Sequence, residues 1–406
     1  MKNLIVLLIS DQTIPNIEFI RSLDRNQKFD FLFITTELME TKGKTKLIKK
    51  LGIQDYESKI HKIETSHEDY ETIVNDVADF IEKEIVNNYT DILINVTGGT
   101  KMMALATYAA FSGKIDPQCK FYYTSESNNI DFANIRNKEK IINKKEFLSV
   151  KECFQAFGNN NIVPGSDKIE NQNLCEELFE YHVNNKKNEP LRSVDEFIST
   201  LKVNNISVKI EKCLDKYIFN YSKAINNVIT PKLQCDTFLN YLSQIGYKLE
   251  NNSKISNADK TFFFGGWFED YTFNQLYNFI LENDGDILKD ISLNKEMKNK
   301  EVKKAENQID VAIAFKNRLY IIENKFTVLS GSFLTEYIYK IEAINKSFGI
   351  ASTSILATLD SREDLDRKEM NIKRLRDFNI WLICREDFIN RDSLIQKMKN
   401  IMRINY

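Results

Sequence analysis

The chain has 406 residues, 42% of them hydrophobic, with 56 Lys and Arg against 58 Asp and Glu. That length exceeds what one hydrophobic core usually holds, so two or more domains are expected. The near-neutral balance excludes a bulk positive field for gripping nucleic acid, and any such contact must be local.

The six cysteines form no Cys-x-x-Cys pair and only three histidines accompany them, which argues against a zinc module or a disulfide scaffold. The apolar run 4–9 behind Lys2 is too short for a signal peptide, lacks a small-residue cleavage site and ends in Ser10-Asp11. It reads as a buried first strand. No segment approaches the ~20 apolar residues of a membrane span, so a cytoplasmic protein with no membrane partner is expected.

Residues 1–150 alternate β-rich runs with helical patterns. Strands are expected at 4–9, 29–35, 91–96 and 120–124, with helices around 16–23, 41–51, 67–87 and 100–112. This is an α/β, doubly wound, Rossmann-like pattern. The polar runs Phe157-Gly158-Asn159-Asn160-Asn161 and Val163-Pro164-Gly165-Ser166 then break the periodicity and mark a boundary. Residues 151–260 read as a helical connector or a small winged-helix-like element, with one strand candidate at 206–210 and no assignable chemistry. In 261–406 a helix is expected at 267–282, strands at 308–315 and 319–326, a helix at 333–346 and strands at 354–357 and 380–384. That makes an α/β unit of about 150 residues.

The two β-rich runs of this last unit meet at the polar turn Lys316-Asn317-Arg318. A two-residue Asn317-Arg318 loop pairs Lys316 with Leu319, sets Asp310 opposite Lys325 and puts Glu323 on the same face. A three-residue loop would turn Asp310 away, because side chains alternate with period 2. Ala312 and Ala314 share the proposed face and are expected to leave room for an ion and a phosphate. Upstream, Glu269, Phe273, Leu276 and Ile280 recur at helical spacing, placing Glu269 on the face to be buried. A carboxylate there is costly unless it is paired or meets a cation.

Three acids converging near one lysine fit a divalent metal, and oxygen ligands suit Mg²⁺ or Mn²⁺. In this reading Asp310 and Glu323 hold the ion, Glu269 assists directly or through water, and Lys325 neutralises developing charge or positions the attacking water. The basic run Lys295, Lys298, Lys300, Lys303 and Lys304 is a candidate grip on backbone phosphates. Singly, each of these is an ordinary solvated residue. The ordered set of helix Glu, strand Asp, turn and strand Glu-x-Lys is what carries the signal.

Residues 262 to 385 resemble the PD-(D/E)xK restriction-endonuclease-like fold, with Asp310 as first acid, Glu323-Asn324-Lys325 as the (D/E)xK element and Glu269 as the acid of the preceding helix. The family's Pro before the Asp is replaced by Ile309. Tyr337 and Lys340 fall where this family often adds a polar catalytic residue.

At the other end, β-strand candidates run into Ser10-Asp11-Gln12-Thr13 and into Thr97-Gly98-Gly99-Thr100-Lys101-Met102. Both loops lie at carboxyl ends of parallel strands, where open α/β sheets bind ligands. The glycines allow backbone N–H groups to approach phosphate, and Lys101 opens a helix whose start favours anions. A nucleotide-like polyanion fits, and so does a plain helix N-cap with a tight turn. Neither a dinucleotide fingerprint nor a Walker loop is present.

These residues resemble the CARF domain, the CRISPR-associated Rossmann-fold sensor. The resemblance implies that Ser10, Asp11 and Gln12, with Thr97, Gly98, Gly99, Thr100, Lys101 and Met102, bind cyclic oligoadenylate across a homodimer; Thr35 is a further candidate. The pairing of the two domains is similar to the Card/Can group of ancillary nucleases of type III CRISPR antiviral defence. It implies allosteric activation by cyclic tetra-adenylate, Mn²⁺ or Mg²⁺ as metal, cutting of single-stranded DNA or RNA and nicking of supercoiled DNA. The switch is expected to re-aim the nuclease halves through 151–260. The competing class is a non-enzymatic CARF regulator that only binds DNA. A HEPN-type ribonuclease is set aside, since none of His61, His67 and His182 has the required upstream Arg.

Overall fold

The computed structural model describes residues 2–54, 56–85, 88–115, 118–124, 131–136, 141–143, 147–158, 162–163, 171–183, 208–213, 216–221, 262–282, 288–298, 305–326, 331–346, 348, 352–367 and 369–403. The amino-terminal half is built on β1 (Lys2–Leu8), β2 (Phe29–Thr35), β3 (Ile60–Glu64), β4 (Tyr89–Asn95), β5 (Cys119–Tyr123), β6 (Asp131–Asn134) and β7 (Ile141–Asn143). They run in the order β3-β2-β1-β4-β5-β6-β7, with the first five parallel and the last two antiparallel.

β1 is apolar on both faces because both are covered. Ile5 and Leu7 join one core, Leu4, Val6 and Leu8 the other. Three strands were not expected from the sequence. In the edge strand β3 only His61 and Ile63 are buried, so its polar residues hide the β signal. β6 and β7 are only four and three residues long. The expected helix 41–51 is broken at Gly43, whose φ of +68° separates Glu37–Thr41 from Lys44–Ile48.

The carboxyl-terminal sheet has the order β15-β14-β13-β12-β11-β8. Its strands are β8 (Ile162–Val163), β11 (Leu288–Lys298), β12 (Ala305–Phe315), β13 (Arg318–Lys325), β14 (Ser352–Thr358) and β15 (Ile380–Ile383); β9 (Val208–Cys213) and β10 (Lys216–Tyr221) form a separate hairpin. β9 takes up the strand candidate at 206–210. Of the connector expected over 151–260, residues 184–207 and 222–260 lie outside the described residues, as do Lys300, Lys303 and Lys304. Lys295 and Lys298, expected in a basic run, belong to β11.

Two helices clamp this sheet. Trp267–Glu282 packs Trp267, Phe268, Phe273 and Leu276 against Val311, Ile313, Phe315, Tyr320 and Ile322. On the other face Ala312, Ala314, Leu319 and Ile321 share a core with Ile344 and Phe348 and also with Leu148, Val150, Cys153 and Phe154. The short helix Val150–Ala156 therefore belongs to the cores of both sheets. Ala312 and Ala314 have no exposure and do not open a space for ligand; the larger side chains of that helix and of Phe348 fill it. Helix Gln172–His182 docks on the first clamp helix, with Phe179 stacked 4.3 Å from Tyr271 and His182 5.5 Å from Trp267. Among the described residues no helix is long and apolar enough to cross a membrane.

The hairpin turn departs from expectation by one residue. β12 and β13 pair Phe315 with Arg318 and Ala314 with Leu319, so the two turn residues are Lys316 and Asn317. Both have positive φ, 46° and 60°, as the turn that matches strand twist requires. Asn tolerates that conformation, and its side-chain oxygen accepts a hydrogen bond from the Leu148 N–H. The register moves by two, so every side chain keeps its face. The last recorded pair is Val311–Ile322, which makes Asp310 and Glu323, rather than Asp310 and Lys325, the next residues along.

Replacing Asn317 by Ala should lower stability by about 2–3 kcal/mol, since a buried N–H loses its acceptor and a Cβ residue is left at positive φ. Denaturant unfolding of the two proteins measures it; Asn317→Gly should recover only the backbone share.

Candidate active site and ligand loops

Glu323 and Lys325 stand two residues apart on β13 and so point the same way. Where the ladder with β12 stops, the Asn324 N–H donates to Asp310 Oδ2 at 2.7 Å, a side chain taking the place of a strand partner. Lys325 Nζ lies 2.7 Å from Glu323 Oε1 and 3.8 Å from Asp310 Oδ2, and 4.8 Å from the centre of the Tyr337 ring. Helix Gly331–Lys346 carries Tyr337 and, one turn later, Lys340, whose Nζ is 2.6 Å from the same Glu323 Oε1. Asp310 and Glu323 are only 4% and 2% exposed. The amide of Asn324, facing the other way, has no hydrogen-bond partner on either side-chain atom.

Glu269 joins this group from the first turn of Trp267–Glu282, half-buried between the seated residues Trp267 and Tyr271. Burial, and then the Asp310 charge, push its carboxyl well above the usual carboxylate range, against the pull of Lys325. Asp310 moves the same way through burial and Glu323, with Lys325 and the Asn324 N–H opposing. Burial alone would lower Lys325, but Glu323, Asp310 and Glu269 outweigh it and hold its proton more firmly. Strongly perturbed groups of opposite character in one place are the electrostatic mark of a reactive site.

Among the described residues no three acidic, His or Cys side chains stand close enough to hold an ion as they are placed. Glu323 is taken by two ammonium groups and Asp310 by an amide. The donor set nevertheless fits a hard divalent cation. Three carboxylates face two lysines, and burial first, then the neighbouring negative charge, keeps Glu269 and Asp310 from ionising readily.

The loops at the carboxyl ends of β1 and β4 lie side by side, since these strands pair where the strand order reverses. Ser10 Oγ donates to Gln12 O at 3.2 Å. Asp11 is exposed and gripped by Lys42 at 2.8 and 2.9 Å, while Lys44 donates to its backbone oxygen at 2.9 Å. Burial alone would raise the Asp11 carboxyl, but these lysines hold it below the ordinary value.

The second loop is pinned from beneath. Asn16 Nδ2 donates to Leu8 O at 2.8 Å, Asn95 Nδ2 to Asn16 Oδ1 at 2.9 Å, and Thr97 N to Asn95 Oδ1 at 3.1 Å. Thr100 Oγ1 donates to His67 O and accepts from Met103 N. A Cβ on Gly98 would sit 2.3 Å from Leu8 O, and Gly99 has φ +75°, so the glycines let the loop lie flat on the end of β1. Lys101 and Met102 are exposed beside it, whereas Thr35 is fully buried and donates to Glu40 at 2.9 Å. The asparagines Asn16 and Asn95 and the lysines Lys42 and Lys44 were not singled out from the sequence. Lys42-Gly43-Lys44 was the one local signal.

A Rossmann-type ligand domain joined to an α/β endonuclease-type domain is the class that this fold and these sites define. Residues 4–153 match the family described as the Card1 CARF domain, and residues 256–402 match the Card1-like endonuclease domain. The chain therefore carries a domain of each of these two families. Among solved structures it is similar to Can2 from Sulfobacillus thermosulfidooxidans in complex with cyclic tetra-adenylate, at 18% identity, TM-score 0.65 and 100% of both chains. It is similar also to protein VC1899 from Vibrio cholerae, at 16% identity, TM-score 0.69, covering 98% of this chain and 97% of that one. At these identities the likeness is one of fold. Comparison with curated protein sequences yields no significant match.

The raised carboxyls make a pH prediction. A folded-state carboxyl held above its unfolded value stabilises the fold only while protonated, so stability is lost as pH rises from about 4 through the raised values. In the presence of a chelator, unfolding measured from pH 4 to 9 should show falling stability, and Glu269→Gln should flatten the slope.

Proposed function

We propose that this protein is a metal-dependent endonuclease that cuts single-stranded DNA or RNA, and nicks supercoiled DNA, when cyclic tetra-adenylate occupies its amino-terminal loops, as part of type III CRISPR antiviral defence. The observation that carries the reading is the convergence of Glu269, Asp310 and Glu323 on Lys325, with two acids short of counter-charge. A module that only binds DNA gains nothing from carboxylates facing phosphate.

Bound there, Mg²⁺ or Mn²⁺ supplies Lewis acidity toward a phosphodiester oxygen and a more acidic water. Asp310 and Glu323, with Glu269 at their rim, are the oxygens to hold it. Asn324 N–H fixes the Asp310 carboxylate, and the Tyr337 ring steadies Lys325, whose retained proton places a positive charge against the phosphate as negative charge develops.

For the sensor, the flat Thr97-Gly98-Gly99 loop, exposed Lys101 and the neighbouring Ser10 loop support binding of a polyanion. The fold shared with Can2, solved with cyclic tetra-adenylate, supports that ligand. Met102 and Leu105, 38% and 62% exposed on helix Lys101–Ile115, offer apolar surface for a second copy, so that a two-fold ligand meets a homodimer. The division into a sensor over 1–150, a connector over 151–260 and a nuclease over 261–406 belongs to the same reading.

Cleavage of single-stranded DNA, RNA and plasmid, with and without cyclic tetra-adenylate in Mn²⁺ and Mg²⁺, tests it. Wild type should cut only with activator and metal, and Glu323→Ala should lose at least about a hundredfold in rate. Lys101→Ala should lose activation while keeping Mn²⁺ binding. DNA binding without cleavage under every condition would instead identify a regulator.

A further inference from the structure

Glu323 is 2% exposed yet has two ammonium groups on one oxygen, Lys325 at 2.7 Å and Lys340 at 2.6 Å. Their origins differ. Lys325 is a strand neighbour on the same face, and the charges of Asp310 and Glu269 act on it as well. Lys340 comes from helix Gly331–Lys346, and among the described residues its one recorded ion pair is with Glu323. A buried carboxylate with neither partner would be costly, so in the absence of a metal some cation has to stand beside it. Lys340 fills that place.

The same contact obstructs a metal. Both ammonium groups sit on Oε1, so a divalent ion binding Glu323 through either oxygen brings a further positive centre close to Lys340. Lys340 is able to leave: its side chain is 39% exposed, against 16% for Lys325, so it can swing to solvent while Lys325 stays.

We propose that Lys340 is a positioning residue that acts as a built-in substitute for the metal, holding Glu323 in place when no ion is bound and yielding it when the divalent ion enters, so that it sets how much metal the site needs. The inference rests on the reading of Glu269, Asp310 and Glu323 as the metal site. It concerns the affinity of that site for the ion and not the cutting step.

Titration of the full-length protein with Mn²⁺ alone, followed by the loss of the free-ion electron spin resonance signal, tests it without substrate or activator. Lys340→Met should bind Mn²⁺ at least about tenfold more tightly than wild type, since one like charge beside the ion is gone. Lys340→Arg keeps the charge and should stay near wild type. A damaged fold would weaken binding, so tighter binding separates this role from a structural one. Equal or weaker binding by Lys340→Met, with Mn²⁺ bound by wild type and lost in Glu323→Ala, would overturn the proposal and leave the metal site standing. Failure of Mn²⁺ to bind to wild type and to Lys340→Met alike would overturn the metal site itself, and the proposal with it.

Discussion

The Leu148 N–H that donates to the Asn317 side chain is the contact on which the arrangement of the carboxyl-terminal half turns. It holds Asn317 in the left-handed conformation at the tip of the β12–β13 hairpin, and the tip decides which residues face each other along both strands. Asp310 and Glu323 each lie six residues from that turn on opposite arms, and they meet because the arms are in phase. The donor is not part of the hairpin at all. It belongs to the segment that enters helix Val150–Ala156, capped by Ser149 and Glu152 and tied to helix Ile14–Arg21 by the Arg21–Glu152 pair at 2.7 Å.

Beyond the tip the strands part, and the charges gather in the gap. A regular ladder would have satisfied the Asn324 N–H with a backbone oxygen; Asp310 does so instead, which places a carboxylate in a crowded interior. The cost shows in the protonation of the acids, which burial and mutual repulsion disfavour from ionising. Two lysines offset part of it. Local charge imbalance of this kind lowers stability, and it persists where a ligand of opposite charge completes the site.

Much of the architecture was legible in the sequence where one physical signal dominated. The helix Trp267–Glu282 has the bounds expected from its apolar stripe, and β2 those expected from its run of buried residues. Strands that carry polar residues on one face escaped: β3 is such an edge, and β11 was hidden by the lysines that read as a basic run. The turn was misplaced by one residue because Lys316 is an unusual occupant of positive φ, and the partner that stabilises the tip lies 169 residues away. In the site, spacing along one hairpin exposed Asp310, Glu323 and Lys325. Lys340 acquires its role only through a helix that folds back over β13, and Asn16 and Asn95 through a contact across 79 residues. Ala312 and Ala314 were read as space because their small size is visible in sequence and the helix that packs on them is not.

That helix has a practical meaning for anyone wishing to isolate the cutting half. Thr13, in the loop that follows β1, donates to Ala156 O at its end, Arg21 holds Glu152 in its first turn, and Phe154 touches Phe348 ring to ring. A fragment beginning near residue 261 would strip Leu148, Val150, Cys153 and Phe154 from the core they share with Ala312, Ala314, Leu319 and Ile321, and leave part of that apolar sheet face to water. The boundary that is natural by chain order is therefore a poor place for scissors, and a soluble truncate needs the 147–158 segment carried along with it.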